Sequence, residues 1–123
     1  MSFYRVHTTA VKAASLNAVS TLSTVACDRD AVIESCNISS RAGITPHAAN
    51  FSTVTILNGS KELFKRDFDS AGDAGISALT NEVLTPLSDT TVTKSTCLNV
   101  RYNYAGSGLA VDLDIVLVFR PSR

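Results

Sequence analysis

The chain has 123 residues, enough for one domain that buries roughly two thirds of its unfolded surface. Apolar residues make up 45% and charged residues 18%, a balance that excludes disorder; eleven basic and eleven acidic side chains cancel, leaving no net field to draw the chain to nucleic acid or an anionic membrane. The composition leans to Ser, Thr, Val and Ala, with no Trp and one Met, and small or β-branched residues suit pleated sheet better than long helices.

In chain order, residues 1–9 lack the basic leader and apolar stretch of a secretory signal, so no export is expected. No window approaches the ~20 apolar residues of a membrane span. Phe3–His7 is predicted to be a short strand, with Phe3, Arg5 and His7 opposite Tyr4 and Val6. Thr8–Leu16 fits a helical turn, an extended arm or a loop equally well. Residues 1–16 therefore read as an N-terminal strand or arm and 17–123 as a sandwich, a single domain in all.

Leu22–Ala26 is predicted as a strand that ends at the polar turn Cys27-Asp28-Arg29-Asp30. Ala31–Ile38 follows, with Val32, Cys36 and Ile38 in phase and Ile33 out of it. Ser39–Asn50 carries Gly43 and Pro46 and reads as a loop. Phe51–Leu57 runs into Asn58-Gly59, a hairpin turn signal, and Glu62–Phe68 returns with Phe64, Arg66 and Phe68 on one side. Asp69–Gly75 is a loop and Ile76–Thr80 one helical turn. Glu82–Leu87 is a strand broken by Pro86 and so placed at a sheet edge. Ser88–Ser95 is a polar turn.

The final run, Val111–Phe119, carries the clearest pattern. Val111, Leu113, Ile115, Leu117 and Phe119 share one face, with Asp112, Asp114, Val116 and Val118 on the other. Its second face turns apolar towards the end, as where a strand enters the middle of a sandwich or meets a neighbouring subunit. With Leu98–Tyr104 and the Gly/Ser stretch after it, this run is predicted to form a hairpin. The fold class is all-β, a two-sheet β-sandwich of about eight short strands, jelly-roll-like in order.

Chemistry is thin. His7 and His47 are the two histidines, no G-x-S-x-G supports a nucleophile elbow, and both read as surface residues. Cys27, Cys36 and Cys97 are odd in number and widely spaced, which predicts buried reduced thiols rather than a disulfide framework or zinc site. Asp67, Asp69 and Gly72 match a calcium loop at its first, third and sixth positions, but Ala71 and Ala78 occupy the fifth and twelfth. Asp112 and Asp114, roughly 7 Å apart along a strand, suit a polar outer face better than a carboxylate pair. Asn37, Asn50 and Asn58 begin glycosylation sequons that read as chance products of composition. Tyr102 and Tyr104 beside Arg101 imitate a base-stacking platform, yet they share the face of Leu98 and Val100 and are predicted to pack inwards. No catalytic residue, metal or cofactor is expected.

The order of features resembles a known family. FYRV leads to STVACDRDAVIESCNIS, then FSTVTILNG, LTNEVLTPLS and the closing CLNVRYNYAGSGLAVDLDIVLVFRP. This layout is similar to that of the head decoration, or cement, proteins of tailed bacteriophages, over nearly the whole chain. The Gly-Asp such proteins often carry before the penultimate strand is replaced here by Thr93-Lys94-Ser95-Thr96. The resemblance implies a jelly-roll-like fold, a homotrimer, the major capsid protein as partner, and clamping of neighbouring capsid subunits after head expansion. It also implies a place on the virion surface after synthesis in the host cytoplasm. No nucleic acid, membrane or small-molecule substrate is implied. The chain's own contact candidates are Phe3, Tyr4 and Arg5 as a docking arm, Val116 and Val118 for self-association, and Arg120 and Arg123 for capsid carboxylates. A second reading is a carbohydrate- or receptor-binding sandwich of a phage tail, disfavoured by the absence of Trp and only three Tyr.

Overall fold

The computed structural model describes residues 5–13, 20–70, 75–106, 109 and 111–122, with side chains described from Thr24 onwards. Among the described residues nine strands occur: β1 (Arg5–Ala13), β2 (Ser20–Ala26), β3 (Ala31–Ser40), β4 (Phe51–Asn58), β5 (Lys61–Asp67), β6 (Asn81–Leu84), β7 (Thr91–Val92), β8 (Cys97–Ala105) and β9 (Val111–Pro121). One sheet runs β1-β9-β3-β6, with β7 also paired to β3; the other runs β2-β8-β4-β5, and every pairing is antiparallel. The protein is an all-β, two-sheet sandwich.

The pairing is nested. β1 lies beside β9, β2 beside β8, β3 beside β6 and β4 beside β5. Among these, β4 and β5 are joined by a tight turn, where Gly59 takes the left-handed φ of 64° that a short hairpin needs. Asn58-Gly59 therefore does what its residue types dictate.

The period of two in β9 sorts its side chains as expected. Leu113, Ile115, Leu117 and Phe119 are fully buried, and they belong to one core with Leu98, Val100 and Tyr102 of β8, Val54 and Ile56 of β4, and Phe64 of β5. Phe68, just beyond β5, joins the same core. This alternation is local: β8 and β9 each bury one face because the pleat points successive side chains to opposite sides.

The expected final hairpin is not formed. β8 and β9 lie in different sheets, so the chain crosses from one to the other between them. Each strand carries a complete apolar face, and two such faces are buried best by stacking across the core. The crossover is tied at Leu109, whose carbonyl accepts from the Tyr102 hydroxyl at 2.9 Å and the Ser52 hydroxyl at 3.1 Å.

Other expectations are corrected by tertiary pairing. In β3 a register shift between Ile33 and Ser35 rotates the strand, so that Ala31 and Ile33 are buried with Cys36 and Ile38, while Val32 faces half outwards. Ile76–Thr80 forms no helical turn. Its backbone finds partners in the 40–44 segment instead: Ile44 and Ile76 exchange hydrogen bonds of 2.9 and 3.1 Å, and the Leu79 N–H donates to the Ser40 carbonyl at 2.8 Å. Thr8–Ala13 continues β1 along β9. The polar 88–95 stretch contains β7, whose Val92 is buried. β6 ends before Pro86 and stands at a sheet edge, as its proline predicts.

Candidate functional site

Among the described residues, the candidate catalytic groups are not assembled into a site. Asp112 and Asp114 both point at Arg41, which donates to Asp112 and, at 2.7 Å, to Asp114. That ion pair raises the Arg41 pKa, mainly through its hydrogen bond to Asp112, and leaves both carboxylates engaged with one guanidinium. His47 is exposed, and its Nδ1 accepts the backbone N–H groups of Ala49 and Asn50 at 3.0 and 2.8 Å. It braces its own loop, as a short polar side chain commonly does. His7 lies on β1 opposite Leu117, with its side chain outside the described residues.

The abortive calcium motif fares similarly. Asp67 accepts a hydrogen bond from the Thr53 hydroxyl and lies 3.9 Å from Lys65. Residues 71–74 fall outside the described part, and no cluster of three potential metal ligands occurs among the described residues. Tyr102 is fully buried and Tyr104 packs against the core, while Arg101 is exposed on the opposite face, so no base-stacking platform is formed. Of the cysteines, Cys27 and Cys36 are buried as expected, but Cys97 is exposed. It begins β8 on the outer side of the sheet, one position before the buried Leu98.

The surface that stands out is the outer face of the β1-β9-β3-β6 sheet. Register sets Val83 of β6 beside Asn37 of β3, Asn37 beside Val116 of β9, and Ser35 beside Val118. Val116 and Val118 are half-buried there, as are Ser35, Asn37 and Ser39. Asn81 donates to the Asn37 side-chain carbonyl at 3.2 Å, so even the amides are partly satisfied within the sheet. Among the described side chains of this face, charge is confined to the two ends. Arg41 with Asp112 and Asp114 closes one, and Arg120 with Glu34 at 3.4 Å closes the other. A neutral centre with an ion-paired rim is the anatomy of a contact surface.

The sequence-derived contact residues are distributed unevenly over this face. Val116 and Val118 lie at its centre, and Arg120 lies at its rim in an ion pair with Glu34. Arg5 pairs through its backbone with Phe119 at the end of β9, its side chain outside the described residues; Phe3, Tyr4 and Arg123 also lie outside them. Sequence reading missed Ser35, Asn37, Ser39 and Val83. The signal was present in the second half of β3, whose outward Ser35, Asn37 and Ser39 are uncharged where a solvated strand ordinarily carries Lys or Glu.

No family model matches this chain, and no curated protein matches it. Among solved structures, it is similar to a chain described as the structure of infectious bursal disease virus, Gx strain, at 13% identity and a TM-score of 0.41. That likeness covers 98% of this chain and 33% of the other, so this chain spans about a third of the length of the protein it matches.

Proposed function

We propose that this chain is a non-enzymatic jelly-roll protein of a tailed-phage virion, one that binds the outside of the capsid and stabilises the expanded shell. The observation that carries the reading is the nested strand order, β1 with β9, β2 with β8, β3 with β6 and β4 with β5. A long antiparallel hairpin rolled into two sheets has this order, and jelly rolls are used in viral capsid and lectin domains. The lectin branch is weakened by the fate of the aromatics: Tyr102, Phe64, Phe68 and Phe119 are buried, leaving none of them to stack on a sugar. The sequence resemblance to head decoration proteins supports the capsid branch, and the neutral face around Val116 and Val118 supplies a surface to dock.

The mechanism is linkage. A protein that binds only the expanded lattice stabilises that lattice by its binding free energy, and many symmetric copies multiply a modest contact. In this reading the partner is the major capsid protein, the protein is made in the host cytoplasm, and it resides on the virion surface.

The test mixes purified protein with expanded heads that lack it. The expected result is saturable co-sedimentation and heads that withstand higher temperature. Val116→Lys and Val118→Lys each weaken binding by about tenfold, or about 1.4 kcal/mol. Absence of binding at about 10 µM protein, or binding indifferent to both substitutions, overturns the proposal.

A further inference from the structure

The loop between β3 and β4 crosses from one sheet to the other, and it is held in two ways. Backbone partners fix its first part. Ile44 exchanges bonds with Ile76, the His47 N–H donates to the Phe68 carbonyl at 3.2 Å, and the His47 carbonyl accepts from the Ser70 N–H at 3.4 Å. Gly75 lets this part close in, since a Cβ there would stand 2.9 Å from Pro46 Cδ. The second part depends on a side chain. The N–H groups of Ala49 and Asn50 both donate to His47 Nδ1, at 3.0 and 2.8 Å.

That cap fixes the protonation state of the ring. Backbone N–H groups only donate, so Nδ1 must present its lone pair and the ring proton sits on Nε2. An imidazolium carries a donor on both nitrogens and accepts nothing. A proton on Nδ1 therefore removes both bonds at once and turns a third N–H towards the two donors. His47 is exposed, so a proton reaches it without unfolding the chain.

The capped segment in turn walls a second crossing. Gly106 follows β8 directly, with a φ of 61°, and a Cβ on it would overlap Asn50 Oδ1 and stand 2.6 Å from the Ala49 carbonyl oxygen. The chain thus leaves β8 hard against residues 49 and 50.

We propose that His47 is a pH-sensitive latch: neutral, it holds the 48–50 segment against the exit of β8, and protonated, it lets that segment go. Release takes up a proton, so it is favoured as pH falls, over the range from about pH 8 to about pH 5 in which histidine charges. The backbone bonds of Ile44 and His47 do not titrate, so release stops at residues 48–50 and leaves the sandwich intact. The titratable and charged groups on the elements packed against the loop are Asp69, set beside His47 by the bonds to Phe68 and Ser70, Arg66 and Asp67 at the end of β5, and Tyr104 near the end of β8. The latch does not rest on the capsid reading.

NMR of the full chain between about pH 8 and about pH 5 tests it. At the upper end the imidazole nitrogen shifts are expected to place the proton on Nε2. As His47 titrates, the protection of the Ala49 and Asn50 amides, corrected for intrinsic exchange, should fall at least about tenfold, while that of Ile115 in β9 holds. His47→Asn should keep both amides protected at every pH, because its side-chain oxygen caps the same N–H groups and does not titrate. His47→Ala should leave both unprotected throughout. A proton on Nδ1 at the upper end, protection that does not follow the His47 titration, or the same pH dependence in His47→Asn overturns the proposal.

Discussion

Cys36 shows how a single residue couples burial to pH. It sits on the inner face of β3, fully buried, and burial pushes its thiol from an ordinary 9.0 up to about 12. Between those values the unfolded chain has lost the proton and the folded chain retains it. The folded state then binds more protons, so stability falls as pH rises through this window and is unaffected below it. Relative to Cys36→Ala, the unfolding free energy of the natural chain should drop by about 1.4 kcal/mol per pH unit above about pH 9. Urea midpoints of both proteins between about pH 8 and about pH 10.5 check this; parallel slopes would refute it. Burial of Cys36 was legible from its apolar neighbours. Exposure of Cys97 was not, because cysteine carries no polarity signal that separates an outward strand position from an inward one.

At the scale of elements, the side of the sandwich where β5 approaches β6 is closed by one arginine. The Arg66 side chain is 11% exposed and donates to Glu82 twice, to the Asp67 carbonyl at 2.6 Å and to the Gly75 carbonyl at 3.3 Å. Its guanidinium also lies over the Phe68 ring, 4.7 Å from the centroid. One planar fork thus joins an edge strand of each sheet to the loop between them. Arg66→Ala should cost about 1–3 kcal/mol, the value of several charge-assisted bonds discounted for the part-exposed carboxylate. Arg66→Lys should recover less than half, because a point charge cannot make the bidentate contact. Denaturant midpoints measure both, and a neutral Arg66→Ala would show that the clamp contributes nothing. Sequence spacing placed Arg66 beside Phe64 and Phe68 on one side of β5, but nothing in the linear order announced Glu82 as its partner.

For the whole molecule, eleven basic and eleven acidic side chains leave a formal net charge of zero. Most of the ion pairs described are exposed or rim-like, and each is nearly self-cancelling. Such a protein generates little long-range field, so the encounter with a capsid that we propose should not be steered by charge. The association rate with expanded heads is therefore expected to change less than about threefold between about 0.05 M and about 0.5 M salt. Stopped-flow or surface-resonance measurement reads this directly, and a steep decline with salt would mean that the docking face is charged rather than neutral.

The sequence by itself determined that the chain is all-β and determined most of its inward-facing residues. Alternation in β9 and β8 is a property of the single strand, set by the pleat before any partner is chosen. It also determined the β4–β5 turn and the edge position of β6, through Asn58-Gly59 and Pro86. Only the tertiary structure decided that β8 and β9 face each other across the core instead of pairing, that β3 shifts register at Ile33, and that the 76–79 segment bonds to residues 40–44. A strand's pattern states which face is buried but not against what. That choice depends on contacts between residues far apart in the chain, and those are made only when both sheets close on one core.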